Sequence, residues 1–269
     1  MAHSVVMISG DGMSDHDLGE TQLHLDGNGD GRRVLSLYDS GLVAVPPWIW
    51  KLTELESLNL SQNSLLEISG ELAQLTRLRM LDLGHNTLHA LPAAIGTLER
   101  LEYLYVSDNS LGTFPPGLLA GAKRLRYLGA ADAGLTGLPD ELGELVALEE
   151  LRIQGNRIAS LPASIGRLRN LRVLLLRGNR LTQVPPTLGE LSELRHLDLR
   201  GNELDAIPAP LAQLGQLTHL DLRSNRLSRL PDWVTELPRL ETLDARWNTI
   251  RAPERLLATL EARGCRVHL

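Results

Sequence analysis

Cysteine occurs once, at Cys265, in a chain of 269 residues. A lone thiol closes no intramolecular disulfide and makes a cysteine-based zinc site untenable. Aromatic residues are almost as scarce, at 3%, so a core has to be filled with Leu, Ile, Val and Ala, and any aromatic side chain stands out. No apolar run is long enough to span a bilayer, and residues 1–12 (MAHSVVMISGDG) lack the basic start and apolar stretch of a signal peptide. Lysine is nearly absent, with two against 25 arginines. That bias fits a GC-rich bacterial genome ahead of selection for bidentate contacts. A net charge of -6 and a pI near 5.8 give no general attraction for nucleic acid or anionic lipid. Neither a G-x-S-x-G motif nor a glycine-rich phosphate loop is present. These absences point to a cytoplasmic protein with no enzyme site, no cofactor, no nucleic-acid partner and no membrane partner.

What the chain has is repetition. Residues 194–208 read LRHLDLRGNELDAIP, with Leu194, Leu197, Leu199, Asn202 and Leu204 spaced as L-x-x-L-x-L-x-x-N-x-L and Ile207-Pro208 closing the phrase. Equivalent starts fall at Arg32, Leu55, Leu78, Leu101, Leu125, Leu148, Leu171, Leu194, Leu217 and Leu240, at intervals of 23 residues with one of 24. The pattern resembles the 23-residue leucine-proline type of leucine-rich repeat, over about residues 32–252. The resemblance implies an α/β fold, a right-handed horseshoe solenoid of about ten repeats. A parallel β-sheet would form its concave side, with short helices or turns on its convex side.

Leucines two apart on a short strand point inward together. The Asn at the ninth position (Asn63, Asn86, Asn109, Asn156, Asn179, Asn202, Asn225, Asn248) is expected to bond backbone groups otherwise orphaned inside. Ala133 breaks this series just after the 24-residue interval, where a local irregularity is expected. Ile68-Ser69 also replaces the usual apolar-Pro pair in one repeat.

At the ends, residues 1–20 are polar and aperiodic and read as a flexible leader; residues 21–50 read as an N-terminal cap with the first repeat. In that cap the apolar alternation on either side of Asp26–Gly31 suggests a hairpin. The same DGNGDG run matches the opening of a calcium loop, but Leu37 stands where the bidentate Glu belongs, so a turn is favoured. Nine repeats follow over residues 55–252. Residues 253–269 read as a capping helix, opening at Pro253 and closing at Gly264, with a last edge strand.

Positions three, five and seven of each repeat lie between the framework leucines and face the concave side. All four tyrosines occupy these rows, among them Tyr103, Tyr105 and Tyr127. Rigid strand tyrosines suit a binding hot spot. Gly84, Ser107, Gly129 and Ala131 beside them are expected to leave room for a partner's side chain. Farther along, Arg177, Arg200, Arg223 and Arg246 form a row beside Asp198, Asp221 and Asp244. These rows read first as a self-neutralised solvated face, and alternatively as a recognition strip with Trp247 at its end. His196 and His219 lie at equivalent positions, so with Asp198 and Asp221 they compose a conceivable zinc site. The family resemblance implies a protein-interaction module, here expected to be a stand-alone monomer without enzymatic activity that binds a protein on its concave face. The alternatives are a metal-dependent enzyme built on the His and Asp pairs, and a bacterial effector that sequesters a host protein.

Overall fold

The computed structural model describes residues 5–6, 22–25, 33–251 and 254–269. The run 26–31 with its calcium-loop reading, Pro253 and most of the leader lie outside the described residues.

The strands form one thirteen-stranded sheet whose spatial order is the order of the chain. Strands β1 (Val5–Val6) and β2 (Gln22–Leu25) open it, and β2 pairs antiparallel with β3 (Arg33–Ser36), as a hairpin requires. The leader, expected to be flexible, thus supplies a short strand, with Val5 opposite His24 and Val6 opposite Leu23. From β3 onward all neighbours are parallel, eleven strands in all. The repeats contribute three residues each: β4 (Ser57–Asn59), β5 (Met80–Asp82), β6 (Tyr103–Tyr105), β7 (Tyr127–Gly129), β8 (Glu150–Arg152), β9 (Val173–Leu175), β10 (His196–Asp198), β11 (His219–Asp221) and β12 (Thr242–Asp244). Strand β13 (Arg266–His268) closes the far edge against β12.

The middle residue of every repeat strand is a leucine at 0 or 1% exposure, as are the leucines that begin and follow the strands in most repeats. No repeat could bury this row alone. Stacking covers it, each fully buried leucine contributing roughly 1.5–3 kcal/mol. The return path of most repeats is a single 3-10 turn, such as Ala163–Arg167, entered from a proline with extended backbone. Proline fixes the incoming angle and has no N–H to leave unpaired. Where Ser69 replaces the proline, its hydroxyl accepts a hydrogen bond from Glu71 N–H at 3.2 Å and does the capping instead.

The asparagine series is a hydrogen-bond ladder inside the strand ends. Asn202, 7% exposed, donates from Nδ2 to Leu199 O (3.0 Å) and to Leu176 O of the previous repeat (3.1 Å), and its Oδ1 accepts from Leu181 N–H (3.0 Å). At Ala133 the rung is missing, and Asp132, an exposed side chain, does not replace it. The backbone closes the gap: Leu111 N–H donates to Ala133 O at 2.9 Å, and Ala133 N–H to Asn156 Oδ1 at 3.1 Å. The sheet register runs through without a slip, Leu104 opposite Leu128. The extra residue of the 24-residue repeat is absorbed on the convex side, where a looser turn replaces the 3-10 turn around residues 116–121. There Gly121 approaches the Gly96 carbonyl so closely that a Cβ would lie 1.7 Å from its oxygen.

The C-terminal cap is helix α1 (Glu254–Ala262), which seats Leu256 and Leu260 on the last repeat, with Cys265 buried beside them. Arg263 donates to Leu237 O at 2.7 Å, fastening the cap to the last turn. Burial raises the Cys265 thiol pKa, which keeps the group protonated and inert. No described helix is long and apolar enough to cross a membrane.

The concave face as candidate interaction site

Successive repeats place equivalent side chains in register, so the concave face is a set of rows. Register pairs Tyr103 with Tyr127, His196 with His219, and Asp198 with Asp221. Two clusters result, one aromatic near the middle and one polar towards β12.

In the first, Tyr105 and Tyr127 pack ring against ring, centroids 4.7 Å apart and planes tilted by 34°. The Arg152 guanidinium lies 5.7 Å from the Tyr127 centroid. All three tyrosines are half-buried, and burial pushes the hydroxyls of Tyr105 and Tyr127 above the ordinary phenol range. The room expected at Gly129 is already occupied: a Cβ there would meet Tyr127 Cε1 at 2.9 Å. The small residue serves the protein's own ring rather than a partner's side chain. Ser107 is likewise used internally, its hydroxyl accepting from Ala131 N–H at 3.0 Å.

In the second cluster the acidic row has a structural task that its sequence pattern does not announce. A carboxylate or amide at the fifth position accepts the N–H of the seventh residue on the same strand, as in Asn59 to Ser61 (2.9 Å), Asp82 to Gly84 (2.9 Å), Asp198 to Arg200 (2.9 Å) and Asp221 to Arg223 (3.0 Å). This is an Asx-type turn that ends the strand. Asp198 is pushed above the usual carboxylate range by burial, as is Asp82. Burial opposes ionisation of Asp244 too, but hydrogen bonds from Arg246 outweigh it and hold that carboxyl below the usual range.

The arginines split into two kinds. Arg223 is clamped by Asp221, its Nε at 2.9 Å from Oδ2, and lies 3.5 Å from Asp244 on the next strand. Arg246 pairs with Asp244 at 2.6 Å. Most of this pairing runs along a strand, whereas the rows predicted pairing across strands. Arg177 and Arg200 have no ion pair among the described residues. Trp247 is 61% exposed and has φ 59°, the left-handed region that a bulky residue seldom adopts. The guanidinium carbons of Arg200, Arg223 and Arg246 lie 5.6, 5.8 and 5.4 Å from its ring.

His196 and His219 stack almost parallel, centroids 5.4 Å apart at 4°. Burial and the neighbouring imidazole lower the His196 pKa. Among the described residues, no three His, Cys, Asp or Glu side chains gather where they could hold a metal ion. Of the carboxylates in that pattern, Asp198 accepts from the Arg200 backbone N–H and Asp221 from the Arg223 backbone and guanidinium. A further row lies outside the three concave positions, although its period is legible in the sequence. Arg79, Glu102, Arg126, Glu149 and Arg172 alternate in sign at the second position, pairing as Arg79–Glu102 (2.8 Å), Arg126–Glu149 (2.7 Å) and Arg172–Glu149 (3.3 Å).

A parallel sheet whose strands follow the chain order, each joined to the next through a short convex turn, defines a solenoid repeat protein. Family profiles for leucine-rich repeats match residues 33–88 and 192–250, residues 100–121, and, for the leucine-rich repeat region, residues 118–192. The chain belongs to the leucine-rich repeat family. Such domains generally mediate protein–protein interaction and are typically non-enzymatic. No curated protein matches the chain. Among solved structures it is similar to the Leptospira interrogans leucine-rich repeat protein LIC12759, with 33% identity and a TM-score of 0.80 over 85% of this chain and 58% of that one. It is also similar to the ectodomain of the Arabidopsis thaliana membrane receptor kinase GASSHO1/SCHENGEN3, with 31% identity and a TM-score of 0.66 over 85% of this chain and 31% of that one. That receptor was solved in complex with Casparian strip integrity factor 2. The functional domain of InlJ from Listeria monocytogenes, which includes a cysteine ladder, matches at 25% identity and a TM-score of 0.69 over 84% of this chain and 47% of that one. The chain thus spans 58% or less of the length of each of these proteins.

Proposed function

We propose that the protein is a cytoplasmic, monomeric, non-enzymatic interaction module of bacterial origin that binds a protein partner on its concave face. The observation that carries this reading is the tyrosine cluster. Tyr105 and Tyr127 stack on each other on a solvent-facing sheet, with Tyr103 in register beside Tyr127, although the leucine core holds the fold without them. Tyrosines locked by packing lose little side-chain entropy on binding, which is why such groups dominate interface energetics. Arg177, Arg200, His196, His219 and Trp247 extend the surface towards β12, while Asp198, Asp221 and Asp244 shape it by holding the backbone and the arginines. A protein partner also fits the receptor–factor complex formed by the similar Arabidopsis ectodomain, and the single cysteine suits a reducing compartment.

The test is affinity capture from the native lysate with the wild-type chain and with Tyr103→Ala/Tyr105→Ala/Tyr127→Ala. Loss of one or a few captured proteins in the variant is expected. An identical set of captured proteins, with the variant's fold intact by circular dichroism, overturns the tyrosine site.

A further inference from the structure

The part of the concave face between Arg177 and Trp247 differs from the rest in what its charges lack. Four arginines share one row, yet among the described residues close carboxylate partners meet only two of them. Arg223 and Arg246 are held by Asp221 and Asp244. Asp198 occupies the place equivalent to Asp221, but its carboxylate accepts the Arg200 backbone N–H while the Arg200 guanidinium turns to the Trp247 ring. Arg177 has Leu175 where its neighbours have aspartate. Two guanidiniums, one strand apart, are therefore left with unused donors on a solvent-facing surface.

Trp247 marks the end of this strip. Its equivalents in the preceding four repeats are Gly155, Gly178, Gly201 and Ser224, all with positive φ. Earlier repeats fill the position with small or polar residues (Asp39, Gln62, His85, Asp108, Asp132), so a bulky indole that is 61% exposed stands out there. Three glycines keep this row low beside Arg177 and Arg200, and the indole rises at its end. The result is a shelf with cations along it and an aromatic stop.

We infer that this shelf takes an acidic segment of a protein partner, with carboxylates seated on Arg177 and Arg200 and the chain abutting Trp247. Arginine matches a carboxylate through paired N–H donors, and two such groups a strand apart suit an extended peptide carrying discrete charges. A polyphosphate backbone suits it less. Asp198, Asp221 and Asp244 interleave with the arginines, and the chain's net charge is -6, so a long polyanion that runs on past Arg177 and Arg200 meets repulsion beyond them, whereas a short acidic segment need not. This inference rests on the concave-face reading above and names the chemistry of the partner.

The probe is fluorescein-labelled hexaglutamate, followed by fluorescence anisotropy on the full chain at low ionic strength. The wild type is expected to bind it, with affinity falling as salt is added. Both Arg177→Gln/Arg200→Gln and Trp247→Gly are expected to weaken binding by about tenfold or more. Trp247→Gly relieves the left-handed backbone, and circular dichroism on both variants separates loss of binding from loss of fold. Absence of wild-type binding, or wild-type affinity in either variant, overturns the inference. Tighter binding of oligothymidylate than of hexaglutamate overturns it in favour of a polyphosphate ligand. If lysate capture depends on the tyrosines while hexaglutamate fails to bind, the concave-face reading stands and the acidic-segment inference falls. If hexaglutamate binding depends on Arg177 and Arg200 while the tyrosine variant captures the same proteins, the tyrosine site falls alone.

Discussion

Replacing Asn202 by alanine tests whether the asparagine ladder holds the repeats in place. The side chain is 7% exposed and, besides a long bond to Arg200 O at 3.5 Å, makes three bonds to backbone groups of its own and the previous repeat. Two of these losses are softened. Leu176 O also accepts from Asn179 Nδ2 at 2.9 Å, and Leu199 O from Asn225 Nδ2 at 3.0 Å, so each carbonyl keeps one donor. The third is not softened, because the N–H of fully buried Leu181 loses the Asn202 carbonyl oxygen it donates to. An orphaned buried N–H costs about 1–3 kcal/mol, and the two weakened carbonyl bonds about 0.5–1 kcal/mol each. Asn202→Ala is therefore expected to destabilise the array by about 2–5 kcal/mol. Urea unfolding followed by circular dichroism measures this, and amide exchange at Leu181 localises it, which matters because repeat arrays can unfold in parts. The reverse change at the natural gap, Ala133→Asn, is expected to add less than about 1 kcal/mol, since Leu111 N–H is already paired with Ala133 O. A cost below about 0.5 kcal/mol for Asn202→Ala, with Leu181 exchange unchanged, would refute the ladder's role.

Two further outcomes follow from local geometry. Gly121→Ala forces a methyl group against the Gly96 carbonyl at 1.7 Å, so two convex turns must separate, at a cost of about 3 kcal/mol or more; a thermal melt matching wild type would show that these turns yield freely. His196 is held below its ordinary pKa of 6.5 by burial and by His219, while Asp198 and Asp221 pull it up and Arg152 adds to the lowering. The unfolded chain then binds the proton more readily, so this group costs stability as pH falls from above 6.5 through the folded-state value. An NMR titration should place His196 below 6.5 and bring it back up in His219→Ala. Titration at or above the ordinary value in the wild type would contradict the stacked arrangement.

Much of the architecture was legible because a fixed period makes each residue's role repeat. Leu197 and Leu199 had to face inward, Asn202 had to serve backbone groups, and the convex segment after Pro208 had to turn, since one strand register propagates through every copy. The candidate rows were legible for the same reason: whatever lies between framework leucines faces outward.

The sequence by itself therefore determined the solenoid, its strand positions and the list of side chains on its concave face, because these depend only on spacing. Tertiary structure alone decided how those side chains divide among themselves. Gly129 appeared as open space until the Tyr127 ring was found lying over it. The aspartate and arginine rows appeared to neutralise each other across strands, yet the aspartates cap backbone N–H groups, and Arg177 and Arg200 have no close carboxylate partners among the described residues. Trp247 appeared as an anchor, and its left-handed backbone and three arginine neighbours could be seen only once neighbouring repeats were stacked. Period fixes where a side chain starts, whereas rotamers and competition for donors between adjacent strands fix where it ends, and those depend on atoms a full repeat away in sequence.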